Sequence, residues 1–333
     1  MRAAVLGSGS WGSALAKVLS DNGHETRLWG RREELAEAIQ RTRENATFLP
    51  GVRFSDALTS TADLAFALDG AELLLIAVPT HGLREVLRRA SALCPRGIPV
   101  VSATKGIEQE TLDFVNDIVA EEMRWTAPYF VALSGPSFAR EVAQGLPTVV
   151  VAASRDLKVA EVVQQAFRTE DRFRVYLSDD LIGVEIGGAL KNVIAIAAGA
   201  SDGLGFGHNA RAALITRGLA EIGRLALRMG GNVLTLAGLA GMGDLVLTCT
   251  GELSRNRHVG VELGKGRSLD EILGGMRQVA EGVRTAKSAH MLARREGVYM
   301  PIVDTVHAVL YEGMPLRRAV SELMNRAAGH ELE

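Results

Sequence analysis

Three glycines near the amino terminus have the spacing of a phosphate-binding loop. The apolar run Ala3–Leu6 is followed by Gly7, Gly9 and Gly12, and then by a stretch with apolar residues on one helical face. In such a strand–loop–helix unit the first glycine permits a tight turn, the second lets the backbone approach a pyrophosphate, and the third lets helix and strand pack closely. Free N–H groups at the helix start favour an anion. The pattern predicts dinucleotide binding; an ordinary glycine turn is the alternative.

The residues after the second predicted strand bear on which dinucleotide binds. That strand, Glu25–Trp29, leads into Arg31 and Arg32. An acidic residue at this place holds the ribose 2′-hydroxyl of NAD, whereas arginine accommodates the 2′-phosphate of NADP. The two arginines favour NADPH, with NADH possible. The acids Glu33 and Glu34 lie just beyond, so a shifted strand end would weaken this interpretation, and a solvated charged turn is the alternative.

Lys191 and Asp244 are charged residues in apolar surroundings. Lys191 lies in the predicted helix 184–199, where Gly187 and Gly188 are its small neighbours and no carboxylate lies one turn away. A buried ammonium loses hydration, so it either pairs with an acid or is tuned for proton transfer. The alternative is that Lys191 extends to the surface. Asp244 also needs a buried partner, for which a lysine is the simplest candidate.

Two loops of the first half follow predicted strands and carry polar groups. Lys105 follows the strand 99–102, and Gly135 and Ser137 follow the strand 129–133. Open parallel sheets bind ligands at the carboxyl ends of their strands. Lys105 is therefore a candidate ligand-binding residue, or an exposed loop lysine. Ser137 is either a substrate contact or part of an ordinary helix start.

A third polar group opens a helix in the second half. Ser254 is a suitable N-cap, and Arg255 and Asn256 follow it. An arginine beside the free amides of a helix start has the geometry and charge of a phosphate site. A surface cap with solvated arginines is the alternative. Ser137 has neither a nearby His/Asp pattern nor a nucleophile elbow, which argues against a hydrolase.

The arrangement of elements predicts two domains. Before residue 180, strands and helices alternate, which indicates a doubly wound, mostly parallel α/β sheet of the Rossmann type. After it, helices separated by glycine predominate, at about 181–199, 209–229, 233–239, 255–263, 269–274, 281–296, 302–312 and 316–327. We predict a Rossmann domain over 1–180 and an all-α domain over 181–333, with the active site expected in the cleft between them.

Composition limits the classes of function. The chain has 333 residues, 47% hydrophobic and 23% charged, and its net charge of −2 gives no positive field for nucleic acid. Cys94 and Cys249 are far apart, the histidines lack zinc-site spacing, and we expect no metal. The amino-terminal sequence does not resemble a signal peptide, and we expect no apolar run long enough to span a membrane. We expect a cytoplasmic protein.

Several motifs occur together in a fixed order. They are Gly7-Ser-Gly-Ser-Trp-Gly12, Ala103-Thr-Lys-Gly106, Ser134-Gly-Pro-Ser-Phe-Ala139, Gly187-Gly-Ala-Leu-Lys-Asn192, His208-Asn-Ala-Arg-Ala-Ala-Leu214, Gly241-Met-Gly-Asp244 and Ser254-Arg-Asn256. In this combination the chain resembles the bacterial NAD(P)-dependent glycerol-3-phosphate dehydrogenases over essentially its whole length. The resemblance implies reversible hydride transfer between NAD(P)H and dihydroxyacetone phosphate, which yields sn-glycerol 3-phosphate for glycerophospholipid synthesis.

The resemblance also implies roles for individual residues. Lys191 would be the proton acceptor in alcohol oxidation and the donor in reduction. The substrate would be held by Lys105, Gly135, Ser137, Lys191, Asp244, Ser254, Arg255 and Asn256. The cofactor site would include the loop glycines Gly7, Gly9 and Gly12 together with Ser10, Trp11, Arg31, Arg32, Lys105, Ala139, Arg255, Val279 and Glu281. Arg257 has no implied role despite its charge.

Two other functions remain open at this stage. One is a related 3-hydroxyacid or ketopantoate-type NADPH reductase, which has less need of a phosphate clamp such as Ser254–Asn256. The other is a non-catalytic NADPH-binding regulator, against which Lys105, Lys191 and Asp244 speak because a sensor needs no proton relay. A homodimer is the default expectation for the oligomeric state.

Overall fold

The computed structural model describes residues 1–276 and 280–325. The chain forms two compact units. The first comprises Met1–Lys105 and Asp113–Leu181, and the second comprises Gly106–Leu112 and the described residues from Ile182 onward. The segment 106–112 thus belongs to the second unit, whereas its neighbours in sequence belong to the first.

The first unit is built on a sheet of eight strands whose order is β10-β9-β8-β7-β6-β1-β2-β5. The strands of this unit are β1 (Arg2–Leu6), β2 (Glu25–Trp29), β3 (Glu44–Asn45), β4 (Leu49–Arg53), β5 (Leu58–Thr61), β6 (Leu73–Ile76), β7 (Val100–Ser102), β8 (Phe130–Ser134), β9 (Thr148–Ala153) and β10 (Phe173–Ser178). Neighbouring strands are parallel except β8 and β9. The chain builds outward from β1 in one direction and then from β6 in the other. The predicted doubly wound, mostly parallel fold is confirmed.

Helices flank this sheet and bury their apolar faces against it. They are α1 (Ser10–Asp21), α2 (Glu33–Thr42), α3 (Leu64–Leu68), α4 (Thr80–Ser91), α5 (Val115–Glu122), α6 (Ala139–Ala143) and α7 (Leu157–Phe167), with a 3-10 turn at Ala127–Tyr129. Leu15 and Leu19 of α1 lie in the core with Val5 of β1. Helix α1 ends at its C-cap Asn22, and Gly23 follows with a φ of +82°.

The region between α2 and β6 was not predicted to contain strands. Its β3 and β4 form a small antiparallel pair, and β5 extends the main sheet beside β2. β4 contains Pro50 and Gly51, which are poor strand residues, and β5 is largely polar. The pairing of these short strands depends on tertiary contacts rather than on a local apolar pattern.

The second unit is helical in its described residues, in agreement with the predicted all-α half. Its helices are α8 (Leu181–Gly203), α9 (Gly207–Arg228), α10 (Val233–Leu236), α11 (Asp244–Thr250), α12 (Arg255–Gly264), α13 (Leu269–Gly274), α14 (Glu281–Glu296), α15 (Pro301–Tyr311) and α16 (Leu316–Met324). A π-helical turn at Leu239–Gly243 leads directly into α11. Pro301 begins α15, and Gly297 follows α14 with a φ of +66°, which are the usual places of proline and glycine at helix ends.

Helix α8 is the central helix of this unit. It has 23 residues with a hydropathy of 1.6, so it meets the length and composition of a membrane span, contrary to the expectation that no run does. Most of its apolar window, 83%, is buried inside the fold. A buried core helix satisfies the same criteria, because it too is apolar on all sides.

Candidate active site

The glycine loop between β1 and α1 has the close packing that its spacing predicts. Gly7 has a φ of +118°, and a Cβ there would lie 2.5 Å from the carbonyl oxygen of Ala77. A Cβ on Gly12 would lie 1.9 Å from the carbonyl oxygen of Gly7. At Gly9, by contrast, no atom of the described residues lies within 4 Å of the Cβ position. Packing therefore requires Gly7 and Gly12, whereas Gly9 leaves a face of the loop on which a pyrophosphate fits.

The residues around this loop are fixed by polar contacts. The Ser10 hydroxyl donates a hydrogen bond of 2.6 Å to the carbonyl of Phe48. Trp11 is half-buried and packs against the core of the unit. A Cβ on Gly30 would lie 2.2 Å from the Ser8 hydroxyl oxygen, so the end of β2 lies beside the loop.

The two arginines after β2 are exposed at this place. Arg31 and Arg32 follow β2 directly, and Arg32 is the N-cap residue of α2. The Arg32 guanidinium lies 5.2 Å from the centroid of the Phe48 ring. Both charges are therefore available to a phosphate at the carboxyl end of β2.

Lys105 lies in a loop that follows β7, at the same edge of the sheet. Its carbonyl accepts a hydrogen bond of 3.2 Å from the Thr80 hydroxyl. The neighbouring Thr104 hydroxyl donates to the carbonyl of Val78 at 2.7 Å. These bonds join the loops that follow β6 and β7, so the backbone at half-buried Lys105 is well fixed.

Gly135 and Ser137 occupy the loop that follows β8. Gly135 has a φ of +134°, and a Cβ there would lie 2.9 Å from the Cα of Val150. The Ser137 hydroxyl donates to the carbonyl of Gly135 at 2.9 Å. Ala139 begins the short helix α6 and packs against the core. The N-cap of α6 is Phe138, so Ser137 is not the cap of that helix.

The second unit contains a buried ion pair between Lys191 of α8 and Asp244 of α11. The Lys191 ammonium donates hydrogen bonds to Asp244 Oδ1 and to the Thr248 hydroxyl, the latter at 3.0 Å. Thr248 in turn donates to the carbonyl of Asp244 at 2.6 Å. Lys191 is 8% and Asp244 1% exposed. The buried partner expected for Asp244 is thus Lys191, and the ammonium does not extend freely into solvent.

Glycines bring the two charged helices together. A Cβ on Gly187 of α8 would lie 2.6 Å from the carbonyl oxygen of Ala240 in the π-helical turn. A Cβ on Gly241 would lie 2.1 Å from the carbonyl oxygen of Leu236. The backbone of the turn that precedes Asp244 therefore packs directly against Gly187, one helical turn before Lys191. π-Helical turns are frequent at functional sites.

The start of α12 is held next to α8 by buried amides. Ser254 is its N-cap, and its hydroxyl accepts from the Arg257 N–H at 3.2 Å. The Asn256 amide donates to Asn192 Oδ1 at 2.9 Å, and its oxygen accepts from the Gly282 N–H of α14, also at 2.9 Å. Asn192 follows Lys191, so these bonds connect the predicted phosphate site to the lysine.

Arg255 keeps exposed surface, although the atoms packed around its guanidinium remove much of the hydration of that group. Burial lowers the pKa of its guanidinium, and the carboxylate of Glu281 raises it. The structure thus brings together two residues, Arg255 and Glu281, that were predicted to line the cofactor site. Val279 lies outside the described residues.

The crossing of α8 and α12 is also made by glycines. A Cβ on Gly199 would lie 2.1 Å from the carbonyl oxygen of Arg257, and one on Gly260 would lie 2.1 Å from that of Ile196. Arg257 itself donates two hydrogen bonds to Asp202 of α8, at 2.7 and 3.0 Å, and Arg211 also pairs with Asp202. Arg257 therefore has a structural contact that fixes α12 against α8.

Thr248 and Asn192 were not predicted as site residues. Thr248 lies one helical turn after Asp244. A second polar residue on the same face of an apolar helix could have indicated that Thr248 belongs to the site. Asn192 is the last residue of the motif that begins at Gly187, but no role was predicted for it. Cys249 is adjacent to this site, and burial raises the pKa of its thiol to about 12. Among residues 1–276 and 280–325 there is no group of metal-ligating side chains.

Family models match both halves of the chain. The model described as the NAD-dependent glycerol-3-phosphate dehydrogenase N-terminus matches residues 2–160. The model of the C-terminus of the same enzymes matches residues 180–321.

Individual relatives cover nearly the whole chain. A Myxococcus xanthus protein named glycerol-3-phosphate dehydrogenase [NAD(P)+] is 56% identical over 100% of this chain and 99% of its own. A Geobacter protein of the same name is 54% identical over 97% and 96% of the two chains. The crystal structure of a Coxiella burnetii glycerol-3-phosphate dehydrogenase is similar with a TM-score of 0.93, at 41% identity, over 98% and 99% of the chains.

Proposed function

This chain belongs to the NAD-dependent glycerol-3-phosphate dehydrogenase family, and on that premise we propose how its residues serve the reaction. The activity is the reversible, NAD(P)-dependent interconversion of dihydroxyacetone phosphate and sn-glycerol 3-phosphate, which supplies glycerophospholipid metabolism. The observation that carries the assignment of roles is the buried Lys191–Asp244 pair, linked through Asn192 to the start of α12.

The glycine loop fits a nicotinamide dinucleotide. Gly9 leaves one face of the loop open to the pyrophosphate, while Gly7 and Gly12 hold its shape. When bound, the nicotinamide supplies hydride transfer chemistry. We assign Ser10, Trp11, Ala139, Lys105, Arg255, Val279 and Glu281 to the surroundings of the cofactor. Arg31 and Arg32 make NADPH the preferred form, because their exposed guanidinium groups suit a 2′-phosphate.

Lys191 moves the proton at the C2 oxygen of the substrate. In reduction its ammonium donates a proton to the forming alkoxide, and in oxidation the neutral amine accepts the hydroxyl proton. Asp244 stabilises the charged form, and the Thr248 hydroxyl fixes the direction of the Nζ–H bonds. Burial strengthens these interactions because the surrounding dielectric is low.

The start of α12 holds the phosphate of the substrate. Arg255 contributes charge, and Ser254 and Asn256 contribute polar groups. The two hydrogen bonds of Asn256 use one of its Nδ2 hydrogens, so the second hydrogen remains for a substrate oxygen. Phosphate binding here supplies free energy remote from C2 and orients the reacting carbon. In the first unit, Lys105, Gly135 and Ser137 complete the proposed substrate contacts.

The remaining features of the proposal concern the environment of the protein. We propose that it acts in the cytoplasm on a small-molecule substrate, without membrane insertion. The buried position of α8 supports this, since its apolar surface is already used in packing. We also propose a homodimer, the commonest closed assembly.

A direct assay tests the proposed activity. Purified protein is mixed with NADPH and dihydroxyacetone phosphate, and the loss of NADPH fluorescence is followed. We expect turnover that is much slower with unphosphorylated dihydroxyacetone and with ketopantoate. Turnover of ketopantoate at the rate of dihydroxyacetone phosphate would favour the related reductase, and NADPH binding without turnover of any substrate would favour a regulator.

The cofactor preference has its own test. Replacing Arg31 and Arg32 together by alanine should raise the KM for NADPH about 10- to 150-fold, because a charge-assisted hydrogen bond contributes about 1.5–3 kcal/mol. The KM for NADH should change much less. An equal loss for the two cofactors would refute the assignment of these arginines to the 2′-phosphate.

A further inference from the structure

The β3–β4 hairpin lies against the glycine loop and has no counterpart in the strand–loop–helix motif itself. Leu49, Val52 and Phe54, in and just after β4, are buried in the core of the first unit. The hairpin follows α2, which ends at Arg43 with a φ of +58°. It is therefore a firmly packed element on which the loop can be held.

Asn45 in β3 makes the connection. Its side chain is completely buried, and its Nδ2 group donates to the Ser8 carbonyl and to the Ser13 hydroxyl, each at 2.9 Å. Its Oδ1 accepts from the Phe48 N–H at 3.1 Å. Ser8 lies between the loop glycines, and Ser13 is in the first turn of α1. One amide thus fixes the carbonyl of the loop, the start of the helix and the turn of the hairpin.

We propose that Asn45 is a positioning residue for the cofactor, holding the glycine loop in the conformation that receives the pyrophosphate. This inference rests on the proposed binding of a nicotinamide dinucleotide. The hydrogen bond that Ser10 donates to the Phe48 carbonyl acts in the same direction, because it ties the first residue of α1 to the hairpin. A loop whose N–H groups are already aimed pays less ordering entropy when the anion binds.

The same hairpin supports recognition of the 2′-phosphate. The Phe48 ring lies 5.2 Å from the Arg32 guanidinium, within the range of a cation–π contact. That contact limits the directions in which an exposed arginine can point. Asn45 therefore influences binding of both cofactors through the loop, whereas the Phe48 ring influences NADPH selectively through Arg32.

Binding titrations separate these contributions. Dissociation constants for NADPH and NADH are measured by fluorescence, and kcat and the KM for dihydroxyacetone phosphate are measured at saturating cofactor. In Asn45→Ala we expect both dissociation constants to rise about 5- to 30-fold, the effect of losing one or two net hydrogen bonds. The kcat and the substrate KM should stay near wild type. Asn45→Asp should lose at least as much, since a carboxylate faces the Ser8 carbonyl without a donor.

Two further variants complete the design. Phe48→Leu keeps the backbone groups and should weaken NADPH about 2- to 5-fold with little effect on NADH, the scale of an exposed cation–π contact. Gln40→Ala is the matched control, because Gln40 accepts from the Ser60 N–H at 2.9 Å in the same unit, away from the loop. It should leave the NADPH dissociation constant unchanged.

The outcomes are distinct. The proposal is overturned if folded Asn45→Ala and Asn45→Asp bind NADPH within about twofold of wild type, less than one net hydrogen bond. It is also overturned if thermal stability and cofactor affinity fall while the substrate KM rises by a similar factor, as for a merely structural residue. If Asn45→Ala does not fold, Ser13→Ala removes one of the Nδ2 contacts, and an unchanged NADPH dissociation constant there overturns the proposal. Binding that follows the expected order without turnover in wild type would refute the proposed activity alone.

Discussion

The two units differ in the groups that they present to a ligand. The glycine loop of the first unit presents mainly backbone groups, whereas the region around Lys191 in the second unit presents buried charged side chains. Of the acidic and basic side chains that are buried in the described residues, Arg27 belongs to the first unit, and Lys191, Glu221, Asp244 and Glu262 belong to the second. A dinucleotide brings its own charge and needs only oriented N–H groups. A proton transfer needs a titratable group in a controlled environment.

This difference implies different responses to substitution. In the loop, the damaging change is an added atom, because Gly7 and Gly12 contact backbone directly. In the lysine site, the damaging change is a removed charge, because either partner of a buried pair is costly when left alone. Four predictions test this contrast, beginning with the largest expected effect.

Replacing Lys191 by methionine should abolish most catalysis while preserving the fold. Methionine keeps the length and apolar packing of the side chain but cannot carry the proton. We expect single-turnover hydride transfer to fall about 10²- to 10⁴-fold, the usual contribution of general acid–base catalysis. NADPH binding, measured by fluorescence, should be normal, because the loop is in the other unit. Lys191→Arg should restore little, since guanidinium does not release its proton.

Two results would contradict this role. A transfer rate in Lys191→Met within about tenfold of wild type lies below the range for acid–base catalysis and would mean that another group moves the proton. Loss of NADPH binding in the same variant would show that the two sites are not energetically separate. Asp244→Asn serves as the graded comparison, with a milder loss and an altered pH–rate profile.

Replacing Arg255 by alanine should remove the preference for a phosphorylated substrate. The ratio of kcat/KM between dihydroxyacetone phosphate and dihydroxyacetone should fall about 10- to 150-fold, as for one charge-assisted hydrogen bond. Arg257→Ala is the control, because Arg257 pairs with Asp202. Its loss should lower the free energy of unfolding but leave the ratio of kcat/KM values nearly unchanged. An unchanged ratio in Arg255→Ala would place the phosphate elsewhere.

The contrast between the units also explains what sequence could predict. The glycine loop depends on residues within one short segment, so the spacing of Gly7, Gly9 and Gly12 was sufficient to predict the strand–loop–helix unit. A buried lysine was the predicted partner of Asp244, and an acid was one of two alternatives for Lys191, because a buried charge needs a partner. That these two residues pair with each other is a finding of the structure. The helices of the second half, separated by glycine, were predicted for similarly local reasons.

Other contacts depend on packing and could not be predicted in this way. Thr248, Asn192 and Asn45 are polar residues whose partners lie on other elements, and a single sequence gives no sign of which elements meet. The β3–β4 hairpin was missed because Pro50 and Gly51 obscure its second strand. The antiparallel pairing of β9 with β8 was not predicted either, because the apolar pattern of a buried strand does not give its direction.

Two glycine variants should distinguish the packing of the loop from the space that it leaves for a pyrophosphate. Gly12→Ala places a Cβ 1.9 Å from the Gly7 carbonyl oxygen, so we expect overpacking that destabilises the protein by about 1–3 kcal/mol. Gly9→Ala meets no described atom within 4 Å and has a φ of −73°, so its unfolding free energy should stay near wild type. Its NADPH affinity should nevertheless fall, because the methyl group occupies the face offered to pyrophosphate. Urea denaturation and NADPH titration check both; equal NADPH affinity in Gly9→Ala and wild type would contradict this use of the loop.

Glu221 shows how a buried charge makes the second unit sensitive to pH. Its carboxylate accepts hydrogen bonds from the N–H groups of Ile302 and Val303 at the start of α15, at 2.7 and 3.2 Å. Burial raises the pKa of Glu221 to about 7, although these backbone bonds and nearby Arg224 lower it and Asp304 raises it. The folded state therefore binds this proton more tightly than the unfolded state. The contribution to stability is complete below pH 4.5, the ordinary value, and is lost as the pH rises toward about 7.

Removing this titration should flatten the pH dependence of stability by a modest amount. From the two pKa values, Glu221 should cost the folded state roughly 1.4 kcal/mol more at pH 8 than at pH 6. In Glu221→Gln this difference disappears, whatever constant penalty follows from losing one acceptor. The pKa of His307 is lowered by burial and by His290, but His307 is present in both proteins, so its contribution cancels in the comparison. Urea denaturation at the two pH values measures the change.

Glu262→Gln is the control, because ion pairs with Lys265 and Arg267 lower the pKa of Glu262, which then stays ionised throughout. If wild type and Glu221→Gln show the same pH dependence, the carboxylate at the start of α15 is ionised in the folded protein, and the helix N-terminus outweighs the cost of burying it.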